Sequence, residues 1–156
     1  MRVLSRETAH AHLAKWGREG DIIIPEVSTA TVELAALAIG VEPARIAKTL
    51  SVYHEETALL VVAAGDAKLD NRKFKDRFGH KPRMLNADDA LRLTGHNVGG
   101  VCPFGLPDGA EVYLDVSMRR FETVFPACGT ANSAIELTLP ELEEYSLSKG
   151  WVDVCK

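Results

Sequence analysis

The chain has 156 residues, 46% of them hydrophobic and 26% charged, and carries a formal net charge of −4. That length buries one sizeable core and excludes two ordinary domains, so a single domain over residues 1–156 is expected. With no long apolar run and no signal-like start in Met1-Arg2-Val3-Leu4-Ser5-Arg6-Glu7, a cytoplasmic protein with no membrane partner is expected. Cys102, Cys128 and Cys155 are an odd set without a Cys-x-x-Cys pair, which excludes a disulfide framework and predicts reduced thiols with no metal site and no cofactor. The acidic balance excludes indiscriminate nucleic-acid coating and leaves DNA out as a partner. One window runs against it: Lys68, Arg72, Lys73, Lys75, Arg77, Lys81 and Arg83 stand against Asp70 and Asp76. Such a cluster suits a polyanion, with a solvated helix face as the alternative.

In chain order, Ala9, Leu13 and Trp16 recur at helical spacing and predict a first helix from about Ser5 to Trp16, stopped by Gly17. Asp21 to Pro25 reads as a first or edge strand. The hydroxyls from Ser28 to Thr31 offer caps for a helix from Val32 to Ile39, apolar around most of its circumference and so expected to be largely buried. A single turn at Pro43 leads to Lys48–Tyr53, then Thr57–Ala64, which together predict an antiparallel hairpin with a central second strand. Lys48 stands at the mouth of the first strand, where small and apolar neighbours let it present a fixed charge.

Asp70 caps a helix to about Phe78 whose outer face carries Arg72, Lys73 and Lys75. Lys81–Met84 is expected as a short edge strand, and Asn86 caps a helix from Ala87 to Thr94 closed by Gly95. Beyond it, Glu111–Val116 alternates as a strand, Ser117–Arg120 makes one helical turn, and Glu122–Ala127 is another strand. Cys128–Ser133 is a small-residue turn, Ala134–Thr138 a short strand, and Thr138-x-x-Glu141 a capping box for a helix to about Leu147. Trp151–Val154 is a further edge strand. This order predicts an α+β fold with a mixed, mostly antiparallel sheet that curls into an open barrel-like core with surrounding helices.

The stretch with most functional content is Gly95-His96-Asn97-Val98-Gly99-Gly100-Val101-Cys102-Pro103-Phe104-Gly105. Four glycines and a proline describe a defined loop whose peptide groups can be approached closely and aimed at an anion or a developing oxyanion. A tight helix-to-strand corner is the plain alternative. A cysteine hydrolase built on Cys102 and His96 has no orienting acid in view, and a buried thiol is the better reading.

Ala47-Lys48-Thr49-Leu50, the run Gly95-x-x-x-Gly99-Gly100-x-x-Pro103-x-Gly105, and Gly129-x-x-x-Ser133-x-Ile135-Glu136-Leu137 together resemble the YbaK family, free-standing relatives of the editing domain of bacterial prolyl-tRNA synthetases. The resemblance implies an aminoacyl-tRNA deacylase that hydrolyses the ester of mischarged tRNA, typically proline tRNA carrying cysteine, alanine or another small amino acid. It implies no metal and no protein nucleophile. Lys48 would anchor the acceptor end while backbone groups at Gly99 and Gly100 position the ester. Thr31, Gly95, His96, Pro103, Phe104, Gly105, Asp115, Gly129, Asn132 and Ser133 would shape the substrate site, with Asp115 on the amino group. Arg72, Lys73 and Lys75 would meet the RNA backbone, and prolyl-tRNA synthetase is a candidate partner. The later turn lacks the histidine of alanine-specific relatives, which points to a side chain of cysteine size. A module that binds tRNA or a synthetase through the same groove without hydrolysis is the alternative.

Overall fold

The computed structural model describes residues 5–25, 31–97, 100–130 and 133–156. Helix α1 spans Ser5–Ala14, with Ala9 and Leu13 fully buried. Helix α2, Val32–Ile39, starts at Thr31, whose hydroxyl accepts the Leu34 N–H at 3.1 Å. A 3₁₀ turn at Pro43–Arg45 feeds strand β1, Ile46–His54, which hairpins into β2, Thr57–Ala64. From Ala58 to Ala64 every residue of β2 is fully buried. That is what a nearly continuous apolar run requires of a central strand.

Helices α3, Asn71–Phe78, and α4, Ala87–Thr94, follow, each opened by its expected side-chain cap, Asp70 and Asn86. Strand β3, Glu111–Asp115, leads through a 3₁₀ turn, Val116–Arg120, to β4, Thr123–Pro126, and β5, Leu137–Thr138. Helix α5, Leu139–Tyr145, begins with a reciprocal capping box. Thr138 N–H donates to Glu141 Oε1 at 2.9 Å, and Glu141 N–H donates to Thr138 Oγ1 at 3.2 Å. Strand β6, Trp151–Val152, ends the series.

The six strands form one mixed sheet in the order β5-β4-β1-β2-β3-β6, curled into a half-barrel with the helices around it. The β1–β2 hairpin aligns eight residue pairs antiparallel, with β4–β5 also antiparallel. Pairings β1–β4, β2–β3 and β3–β6 are parallel and shorter. The β2–β3 pairing arises where α3, α4 and the glycine-rich loop carry the chain back across the sheet.

Three local expectations give way. Asp21–Pro25 contributes only an isolated bridge, Ile23 with Ala134, because Pro25 has no N–H with which to continue the ladder. Lys81–Met84 likewise contributes one bridge, Met84 with Val52. Helix α2 is not largely buried: Ala35 and Ala36 face the sheet, while Leu34 is 43% and Leu37 81% exposed. A helix of eight residues lying over a sheet buries a single stripe, whatever its other faces carry.

Candidate active site

A cleft of about 230 Å³ opens where the first half of β1, the start of α2, the segment from Met84 to Ala90 and the end of the 128–134 turn converge. Its walls are mostly small and apolar: Ala35, Ile46, Ala47, Phe125, Ala127 and Ala134. Of the residues expected at the site, Thr31, Lys48 and Ser133 line it, joined from the glycine-rich loop by Val101. The β1–β4 pairing brings Lys48 and Phe125 to one rim, since Ile46 pairs with Phe125 and Ala47 with Pro126.

Lys48 is half-buried, and its ammonium donates to the carbonyls of Ala67 and of Gly65, the latter at 3.3 Å. Burial moves its pKa below the ordinary lysine value. Thr49, on the opposite face of the strand pleat, also lines the cleft, and its Oγ1 is buried with no partner among the described residues. An orphaned buried hydroxyl is costly unless a ligand completes it. Sequence reasoning misses both Thr49 and Ser51 as site residues. The usable signal is the period of two along β1, which sets Ala47, Thr49 and Ser51 on one face.

The glycine-rich loop and the later turn meet directly. A Cβ on Gly100 would stand 2.9 Å from Thr130 Cα and 3.0 Å from Gly129 C, so only glycine allows this approach. The Gly100 N–H closes a turn onto the Asn97 carbonyl at 2.9 Å. Its donor is therefore engaged inside the loop, and Gly100 serves the close approach of loop and turn. In the turn, Thr130 Oγ1 donates to Ser133 Oγ at 2.8 Å. Gly99 and Asn132 lie outside the described residues.

Several expected site residues hold the loop instead of lining the cleft. Gly95 ends α4 with a φ of 77°. His96 is fully buried and its Nε2 donates to the Phe104 carbonyl at 2.7 Å. Pro103 and Phe104 are buried as well. Gly105 N–H donates to His12 Nδ1 at 3.0 Å, while His12 Nε2 donates to the Tyr145 carbonyl at 2.5 Å. His12 thus straps α1, the loop and α5 together as a neutral ring, and burial lowers its pKa as it lowers that of His96. Sequence reasoning has no signal for this strap, because its three parts are distant along the chain.

Cys102 lies 3.4 Å from His96 Nε2, but burial pushes its thiol up to about 12 and neither residue lines the cleft. A thiolate nucleophile has no support there. Asp115 is corrected too. It is buried, with Oδ1 accepting the Val154 N–H and Oδ2 the Ser117 N–H, each at 2.9 Å, so it has no reach to a substrate amino group. On α3, Arg72, Lys73 and Lys75 are all exposed, but Lys73 is tethered to Asp153 at 3.1 Å and to the Cys155 carbonyl at 2.9 Å. Its role is at least partly to hold the C-terminal segment. Among the described residues no three His, Cys, Asp or Glu side chains converge as a metal site, and no helix is long and apolar enough to cross a membrane.

The curled mixed sheet matches that of editing-domain structures. Residues 26–145 match the family model of the aminoacyl-tRNA editing domain, and the chain belongs to that family. It is 56% identical over 154 residues to the uncharacterized protein YwhH of Bacillus subtilis, covering 98% of each. It is 30% identical over 100 residues to the proline–tRNA ligase of Shouchella clausii, of which the match spans 17%. A crystal structure of a protein proposed as a trans-editing enzyme for prolyl-tRNA synthetase superimposes with a TM-score of 0.86 at 27% identity, covering 97% of both chains.

Proposed function

We propose that this cleft is the deacylation site of a trans-acting editing enzyme, hydrolysing the ester of mischarged tRNA, with proline tRNA carrying cysteine or another small amino acid as the substrate. The observation that carries the reading is one charged residue, Lys48, among the described residues that line a small and largely apolar cleft. An aminoacyl ester is more reactive than an amide, so orientation of ester and water together with charge stabilisation suffices, a well-placed donor being worth about 3 kcal/mol. Lys48 acts as a point charge on the terminal phosphate or ester oxygens. The unpartnered Thr49 hydroxyl accepts or donates a hydrogen bond to a polar group on the bound amino acid, and the alanine-rich walls limit its size. Arg72 and Lys75 meet the RNA backbone near the acceptor end, and the protein acts in the cytoplasm alongside prolyl-tRNA synthetase.

The test is ester loss from proline tRNA charged with cysteine, alanine or proline, followed with purified protein. Hydrolysis should fall at least about a hundredfold in Lys48→Ala, the scale for deleting a group that stabilises developing charge. It should survive in Cys102→Ala. Binding of tRNA without turnover would replace the enzyme reading with that of a binding module.

A further inference from the structure

We infer that the turn Gly65–Ala67 is a carbonyl cradle that aims the Lys48 ammonium, with Gly65 and Ser117 as positioning residues outside the cleft. The kinetic part of this inference rests on the deacylase reading; the geometric part does not.

A lysine on a four-carbon stem is a poor positioning device by itself, because its rotamer freedom spreads the charge over several ångströms. Here the Ala67 and Gly65 carbonyls accept from Nζ. Among the described residues no further partner takes the third proton, which leaves it for a substrate oxygen. The cradle itself is fixed from three directions.

From one side, Gly65 N–H donates to the Ala44 carbonyl at 3.3 Å, and a Cβ on Gly65 would stand 2.0 Å from the Pro43 carbonyl oxygen and 2.8 Å from Val32 Cγ1. No side chain fits, so glycine here serves close approach. From the second side, Ala64 N–H donates to Ser117 Oγ at 3.1 Å. Ser117 is in turn held by Asp115, whose two carboxylate oxygens tie Ser117 N–H and Val154 N–H. From the third, Ala67 N–H closes the turn onto the Ala64 carbonyl at 3.0 Å, and Lys68 and Lys156 exchange backbone hydrogen bonds at 3.2 and 2.8 Å. Asp115 therefore bears on the site at a distance, through Ser117 and the end of β2, without touching the substrate.

Two variants test this, Gly65→Ala and the milder Ser117→Ala, which removes one acceptor from an otherwise intact turn. The first readout needs no substrate: the rate at which a lysine-directed reagent labels Lys48, mapped by mass spectrometry against Lys75 in the same chain. Labelling of Lys48 should be slow in the parent protein and rise in both variants while that of Lys75 stays constant. The second is a double-mutant cycle on deacylation. Each variant should lose about tenfold in kcat/KM, within the range known for small misplacements of a positioned group, and should lose nothing further in a Lys48→Ala background. Unchanged Lys48 labelling in folded Ser117→Ala, or an equal loss of rate with and without Lys48, would overturn the cradle. Changed labelling in a protein that hydrolyses no mischarged tRNA would leave the cradle standing and remove the deacylase reading.

Discussion

The two walls of the cleft are built in opposite ways. On the β1 wall stands a charged residue, Lys48, whose ammonium is held by backbone carbonyls. On the loop wall, His96, Cys102 and Phe104 are buried and bonded to one another or to their neighbours, with Val101 at the cleft. The difference teaches where function can reside. Titratable residues in the loop are struts, and what that wall offers a substrate is shape. Among the described residues lining the cleft, the charged one is Lys48, on the other wall.

The comparison breaks most sharply at Gly100. Gly100→Val forces a Cβ into the Gly129–Thr130 backbone and should cost about 1–3 kcal/mol in urea unfolding, the usual penalty of overpacking. Deacylation should fall with it, while the labelling rate of Lys48 on the other wall stays at its parent value. Damage that reached both walls equally would show that they are one unit.

The struts can be probed through pH. His12 and His96 are held neutral by burial, so the folded state binds fewer protons than the unfolded chain, in which each titrates near 6.5. Their contribution is fully present above that value and is lost as pH falls below it toward the lowered folded values. A protonated His12 could also no longer accept the Gly105 N–H. Thermal unfolding scanned across this range should show a falling Tm on acidification, and His12→Gln should flatten the slope.

The outer face of α3 gives a smaller and more selective effect. Charge reversal at Arg72 and Lys75 should weaken tRNA binding and reduce its salt slope by about one for each phosphate no longer neutralised, with hydrolysis of a minimal aminoacyl ester unaltered. Equal losses on both substrates would move these residues toward the cleft. The smallest effect belongs to α2, where Leu37 is 81% exposed. Leu37→Lys should change stability by no more than about 0.5 kcal/mol, checked by the same unfolding measurement.

Much of the architecture is legible because its causes are local. Asp70, Asn86 and Thr138 cap the helices they precede, and the apolar run from Ala58 to Ala64 is the central strand. The place of Lys48 in the cleft lining is legible from its setting and from a family resemblance. Thr49 is not, although it sits in the same motif, since an orphaned hydroxyl is visible only once its surroundings are known. Asp115 misleads for the converse reason: an acidic residue ending an alternating strand looks available until Ser117 and Val154 are seen to hold both its oxygens.

What this amino-acid order determined by itself is the run of helices and the longer strands, because capping, periodicity and turn chemistry act over four residues or fewer. Only the tertiary structure decided which polar groups were already satisfied. The carbonyls that hold Lys48, the Val154 N–H on Asp115 and the partners of His12 come from segments brought together by strand pairing and by chain crossing the sheet, and a hydrogen bond across such a distance leaves no periodic trace in the sequence.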